Sequence, residues 1–120
     1  MSLTGVKKEP DMAFDAALAA RLRAFLTRKK NIEEKKMFGG VGILLNGNML
    51  VGVWKDKLIV RVGLDAYDAA FREPHVREFD ITGKPMKGWI MVEPDGLKED
   101  DQLKDWIGRA TKFVKTSPKK

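Results

Sequence analysis

Few side chains in this sequence carry the chemistry of a catalyst. The serines, Ser2 and Ser117, stand near the two ends of the chain, cysteine is absent, and His75 is the sole histidine. Covalent catalysis needs an activated hydroxyl or thiol beside a base, and no such set is spaced along the chain. Lack of cysteine excludes a disulfide framework, a thiolate zinc site and an iron–sulfur cluster. One histidine excludes an HExxH helix. His75 follows Pro74 in a connection and reads as a surface or structural imidazole. Carboxylates stand side by side in Glu33-Glu34 and Asp100-Asp101; the first pair reads as loop and the second as helix cap. Gly40 and Gly42 match the first two glycines of a GxGxxG loop, but Leu45 takes the third position. A strand is expected there, where a bound phosphate would need a helix N-terminus. The reading is of a non-enzymatic protein with no metal or cofactor, whose chemistry is recognition.

Recognition then rests on charge and on exposed apolar surface. The 120 residues hold 23 Lys and Arg against 17 Asp and Glu, a formal net charge of +6. The excess is uneven. Arg21, Arg23, Arg28, Lys29, Lys30, Lys35 and Lys36 face only Glu33 and Glu34 in their stretch, and Arg109, Lys112, Lys115, Lys119 and Lys120 have no acid among them. Such clusters fit either solvated helix ends or a surface for an acidic partner or nucleic acid. No zinc finger, helix-turn-helix or RRM signature accompanies them. No apolar run approaches the roughly 18 residues of a membrane span, and no signal-peptide pattern opens the chain; a cytoplasmic protein is expected.

The elements that position these residues follow from period. Residues 1–10 read as a leader, 11–116 as one domain and 117–120 as a tail. Phe14, Ala17, Leu18, Leu22, Phe25 and Leu26 recur at helical spacing, with Asp11 as the expected N-cap. From Lys35 to Gly63 the period becomes two. Asn46-Gly47 is a strong hairpin signal, since a type I′ turn needs positive φ at both central residues; a second turn is expected at Lys55-Asp56. Residues 64–73 predict a short helix stopped by Pro74, 76–81 and 89–92 predict strands, and Leu103, Trp106, Ile107, Ala110 and Val114 stripe a last helix. The order is α-β(3–4)-α-β(2)-α. The fold class is α+β, an antiparallel sheet of about five to six strands with helices on one face.

A two-residue turn sets the register, and register sorts side chains onto faces. It opposes Leu45 to Asn48, Leu44 to Met49 and Ile43 to Leu50. One face then carries Gly42, Leu44, Met49, Val51, Val53, Leu58, Val60 and Val62, the seat for the helices. The other carries Val41, Ile43, Leu45, Asn48, Leu50, Trp54, Lys57, Ile59 and Arg61. That second face is too apolar for plain solvent. Leu50, Trp54, Ile59 and Arg61 are therefore the expected contacts of a dimer or protein partner, unless the strands curl and bury the patch themselves. The Thr82–Gly88 loop is longer and more basic than a hairpin needs, so Lys84, Met86 and Lys87 are a candidate anion or partner loop. A nucleic-acid accessory role would use the basic residues around Arg28–Lys36 and the tail. A small-ligand pocket beside the Lys84–Gly88 loop is the third possibility.

Several stretches resemble the TfoX N-terminal domain family. They are Lys36-Met37-Phe38-Gly39-Gly40-Val41, Asn46-Gly47-Asn48-Met49, Arg61-Val62-Gly63, and the run from Phe79-Asp80-Ile81-Thr82 through Gly83-Lys84-Pro85-Met86-Lys87-Gly88-Trp89. The resemblance spans about residues 14–115. It implies a secretion-chaperone-like α+β fold with helices on one side of the sheet. The family takes its name from longer regulators of competence for DNA uptake that add a C-terminal domain. This chain resembles their N-terminal part and is expected to be a stand-alone regulatory domain. No catalytic residues come with the family.

Overall fold

The computed structural model describes residues 15–27, 29–37, 39–80, 83 and 86–116. Helix α1 (Ala16–Leu26) starts where the Asp15 carboxylate accepts the backbone N–H groups of Ala17 and Leu18 at 2.9 and 3.1 Å, satisfying donors that a helix start leaves open. The Asp11 cap, Phe14, the leader and the tail lie outside the described residues. Four strands follow as a meander: β1 (Ile32–Met37), β2 (Gly40–Leu45), β3 (Asn48–Trp54) and β4 (Lys57–Arg61). Helix α2 (Leu64–Ala70), strands β5 (Val76–Glu78) and β6 (Trp89–Val92), a 3-10 turn at Pro94–Gly96 and helix α3 (Asp100–Lys115) complete the chain. The sheet runs β1-β2-β3-β4-β6-β5 with every pair antiparallel. This is the α+β class and order that the sequence predicts.

Two elements differ from expectation. Glu33 and Glu34 lie in β1 rather than in a loop. β1 is an edge strand, where charged side chains reach water and discourage pairing with another chain. Glu34 also takes a bidentate contact from Arg23 of α1, at 2.6 and 3.1 Å. Strand β5 ends at Glu78, short of the predicted Ile81.

The larger difference is in register. Asn46 (φ 55°) and Gly47 (φ 83°) make the turn, Leu45 pairs with Asn48, and Leu44 pairs with Met49. Beyond that point the ladder shifts, and Ile43 pairs with Val51. Leu50 is the extra residue of a β-bulge. One inserted residue moves every later side chain of that strand to the opposite face. Val51 and Val53 therefore join Val41, Ile43 and Leu45 beneath the helices, while Leu44 and Met49 turn to the other side. The face assignment made from an unbroken ladder is corrected accordingly.

The helix-side core follows from that sorting. Leu18, Leu22 and Leu26 of α1 and Leu103, Trp106, Ile107, Ala110 and Val114 of α3 pack on Val41, Ile43, Leu45, Val51, Val53, Leu58, Val60, Ile90 and Val92. Helix α3 begins with a capping box, Glu99 donating its backbone N–H to the Gln102 side chain at 2.8 Å. Two glycines are needed by contact rather than by a turn. A Cβ on Gly40 would run into the Val53 carbonyl oxygen, and one on Gly63 (φ 87°) into the Phe113 ring. No helix of the described residues is long and apolar enough to cross a membrane.

Candidate interaction face and basic groove

The bulge builds a second apolar face on the side of the sheet away from the helices. Its centre is a row in register across four strands: Gly42 on Gly52, Gly52 on Ile59, Ile59 on Met91. Paired glycines leave bare backbone, and the Met49 methyl lies over that gap, close enough to meet a Cβ added at Gly52 at 2.9 Å. Phe79, 1 % exposed, packs on Ile59 and Met91 and lies 5.8 Å from the Trp89 ring between centroids. Met86 is tied to both neighbours of this cluster, donating its N–H to the Phe79 carbonyl and accepting that of Trp89, each at 3.1 Å. Around this covered centre, Met49, Trp54, Met86 and Trp89 stay half-buried.

The residues singled out from sequence divide as follows. Trp54 lies on this face and is half-buried, with the Lys55 ammonium 4.7 Å and the Lys57 ammonium 6.0 Å from its ring. Ile59 shares the face but is 2 % exposed beneath Phe79, so it supports the surface rather than presenting it. Leu50 does not belong to the face: the bulge puts it, fully buried, in the helix-side core. Arg61 sits at the margin, its guanidinium 5.2 Å from the Trp89 ring and 5.3 Å from that of Phe113 on α3. Met86 packs against the covered cluster, Lys87 is exposed, and Lys84 lies outside the described residues. Sequence reasoning missed Met49, Phe79, Trp89 and Met91 as members of this face. The bulge left no mark in the local pattern, but the pairing of alternating Phe79 with Trp89 across the connection was a usable signal.

Two grooves on the helix side were also missed. One, of about 700 Å³, runs between α2 and α3 beside Leu64, which is 70 % exposed, and Phe113. Of its two lining cations, Arg109 and Lys112, Arg109 is already engaged: it donates to both Glu73 carboxylate oxygens, sits 2.8 Å from Asp105, and stacks 4.2 Å from the Trp106 ring. Hydrogen bonding to Glu73 raises the Arg109 pKa above its already high ordinary value, against the opposing effect of burial. The second groove, about 460 Å³, lies between the end of α1 and α3. It brings together Phe25, Lys29, Lys104, Gly108, Lys112 and Lys115. Among the described residues no group of three or more His, Asp or Glu is arranged to hold a metal ion.

Comparison with known proteins adds the family. No curated protein and no solved structure gives a match. The family model described as the TfoX N-terminal domain matches residues 24–114, from the last turn of α1 through the whole sheet to the last turn of α3. Over that span, with the sheet and glycines it contains, the chain belongs to the TfoX N-terminal domain family.

Proposed function

We propose that this domain is a non-enzymatic, regulatory protein-interaction module that pairs with a second copy of itself through the Met49–Trp54–Trp89 face. The observation that carries the reading is the half-buried ring of Met49, Trp54, Met86 and Trp89 around a covered apolar centre. Aromatic and methionine side chains anchor interfaces, because they bring large apolar area and adapt to a partner's shape. The two ends of β3 are flanked by unlike charge, with exposed Lys35 between them beside Gly42. Exposed Glu33 pairs in register with Leu44, beside Met49, whereas Lys55 and Lys57 flank Trp54 at the far end of β3. A two-fold axis through the face brings these unlike ends together.

Light scattering after size exclusion tests the reading. The expected mass is twice 13.5 kDa, persisting in salt because the contact is apolar at its centre. Trp54→Glu is expected to return the mass to that of one chain while leaving the circular dichroism unchanged. A single-chain mass at every concentration of the unmodified protein overturns self-association.

A further inference from the structure

We propose that the groove between the end of α1 and α3 binds the phosphate backbone of single-stranded nucleic acid. Lys104, Gly108, Lys112 and Lys115 fall at i, i+4, i+8 and i+11 of α3, so they share one helix face. The row from Lys104 to Lys115 is about 16 Å long at about 1.5 Å per residue. Lys29 stands across the groove, its backbone N–H held by the Leu26 carbonyl at 3.1 Å. Two clusters far apart in the chain thus meet in one channel.

Among the described residues none of these ammonium groups makes a salt bridge. No carboxylate lines the groove among the described residues. Of the acids near the start of α3, Asp100 pairs with Arg21 at 3.2 Å and Asp105 with Arg109 at 2.8 Å, while Asp101, one turn before Lys104, does not line the groove. The floor is built open as well. A Cβ on Gly108 would meet nothing within 4 Å, so packing does not require glycine there, although glycine in a helix costs about 1 kcal/mol relative to alanine. Its effect is to leave a gap between Lys104 and Lys112 where a chain can approach the helix backbone. At the wall, the Phe25 ring lies 5.5 Å from the Lys104 ammonium and offers an edge for a base.

These features favour a polymer of phosphates over other anions. A compact phosphate engages one or two of four spread charges. A run of Asp and Glu brings no ring to Phe25. A basic groove with an aromatic at its side matches the way sequence-tolerant proteins hold single strands, with phosphates on the cations and a base against the ring.

The test is fluorescence anisotropy with a labelled twelve-nucleotide oligothymidylate. With about four phosphates neutralised and a slope of about −0.7 per phosphate, affinity falls about 50-fold between 50 and 200 mM salt. Lys104→Glu with Lys112→Glu is expected to lower affinity at least tenfold at 50 mM salt, both side chains being exposed. Gly108→Leu keeps every charge, favours the helix and fills the gap, and is expected to weaken binding as well. Arg72→Glu, exposed just after α2 and outside the groove lining, is expected to change it less than about twofold, since a remote charge adds only a screened field. Absence of binding at 50 mM salt, an equal loss in Arg72→Glu, or equal competition by polyglutamate each overturns the assignment.

Discussion

Removing the Phe79 ring is the sharpest probe of how the second sheet face is held. Phe79 is 1 % exposed and lies on Ile59 and Met91, with the Trp89 ring 5.8 Å away. Phe→Ala in a core costs about 3–5 kcal/mol through lost transfer energy and the cavity left behind. The cluster here is small, and its half-buried neighbours Met49 and Met86 can slide into part of the space, which places Phe79→Ala at the low end, about 3 kcal/mol. With an unfolding entropy near 2.1 cal/mol/K per residue, 120 residues give about 0.25 kcal/mol/K, so the midpoint falls by about 12 °C. Thermal unfolding followed by circular dichroism and by tryptophan fluorescence reads the shift, and Trp89 reports the site directly. Binding of a hydrophobic dye to the native variant should rise, because the Ile59–Met91 strip becomes open to solvent. A fall of less than about 4 °C with no rise in dye binding refutes the argument that the Phe79 segment covers this face.

Other substitutions separate causes in the same fold. Gly63→Ala meets both an unfavourable φ of 87° and the Phe113 ring, whereas Gly83→Ala (φ 93°) meets open space. Urea titration should therefore show about 1–2 kcal/mol lost at Gly83 from backbone strain alone and more at Gly63. Asp15→Ala removes the acceptor for two N–H groups of α1 and is expected to cost about 1 kcal/mol in the same assay. Arg109→Lys keeps the charge but breaks the fork to Glu73 and the stacking on Trp106, so about 1 kcal/mol is expected to be lost. The hydrogen bond from Arg23, aided by its charge and opposed by burial, holds the Glu34 pKa below its ordinary 4.5. A depressed carboxylate stabilises the fold above its unfolded pKa and loses that contribution as pH falls through the folded one. Both partners are substantially exposed, so Glu34→Gln should flatten the acid limb of a stability–pH curve by less than about 1 kcal/mol.

Much of the fold is determined by short-range chemistry. Asn46-Gly47 specifies its hairpin because so few residue pairs accept positive φ together, and both residues adopt it. The stripes of α1 and α3 specify one buried side each, since apolar side chains at i, i+3, i+4 and i+7 cannot all avoid water unless something packs on them. The order of elements, the α+β class and the family stretches follow from the same local signals. The shift at Leu50 does not. An apolar residue in an apolar strand reads alike whether it occupies a ladder position or a bulge, and only pairing with β2 decides. That one residue moved Leu50 into the helix-side core and turned Met49 outward. Phe79 likewise shows its alternation in the sequence but not its destination, because its packing on Ile59 and Met91, with Met86 beside it, is a long-range contact. The lysine groove is the fullest case. Lys29 and Lys112 are far apart in the chain, each reads as a solvated helix end, and only the packing of α1 beside α3 on the sheet sets them across one channel.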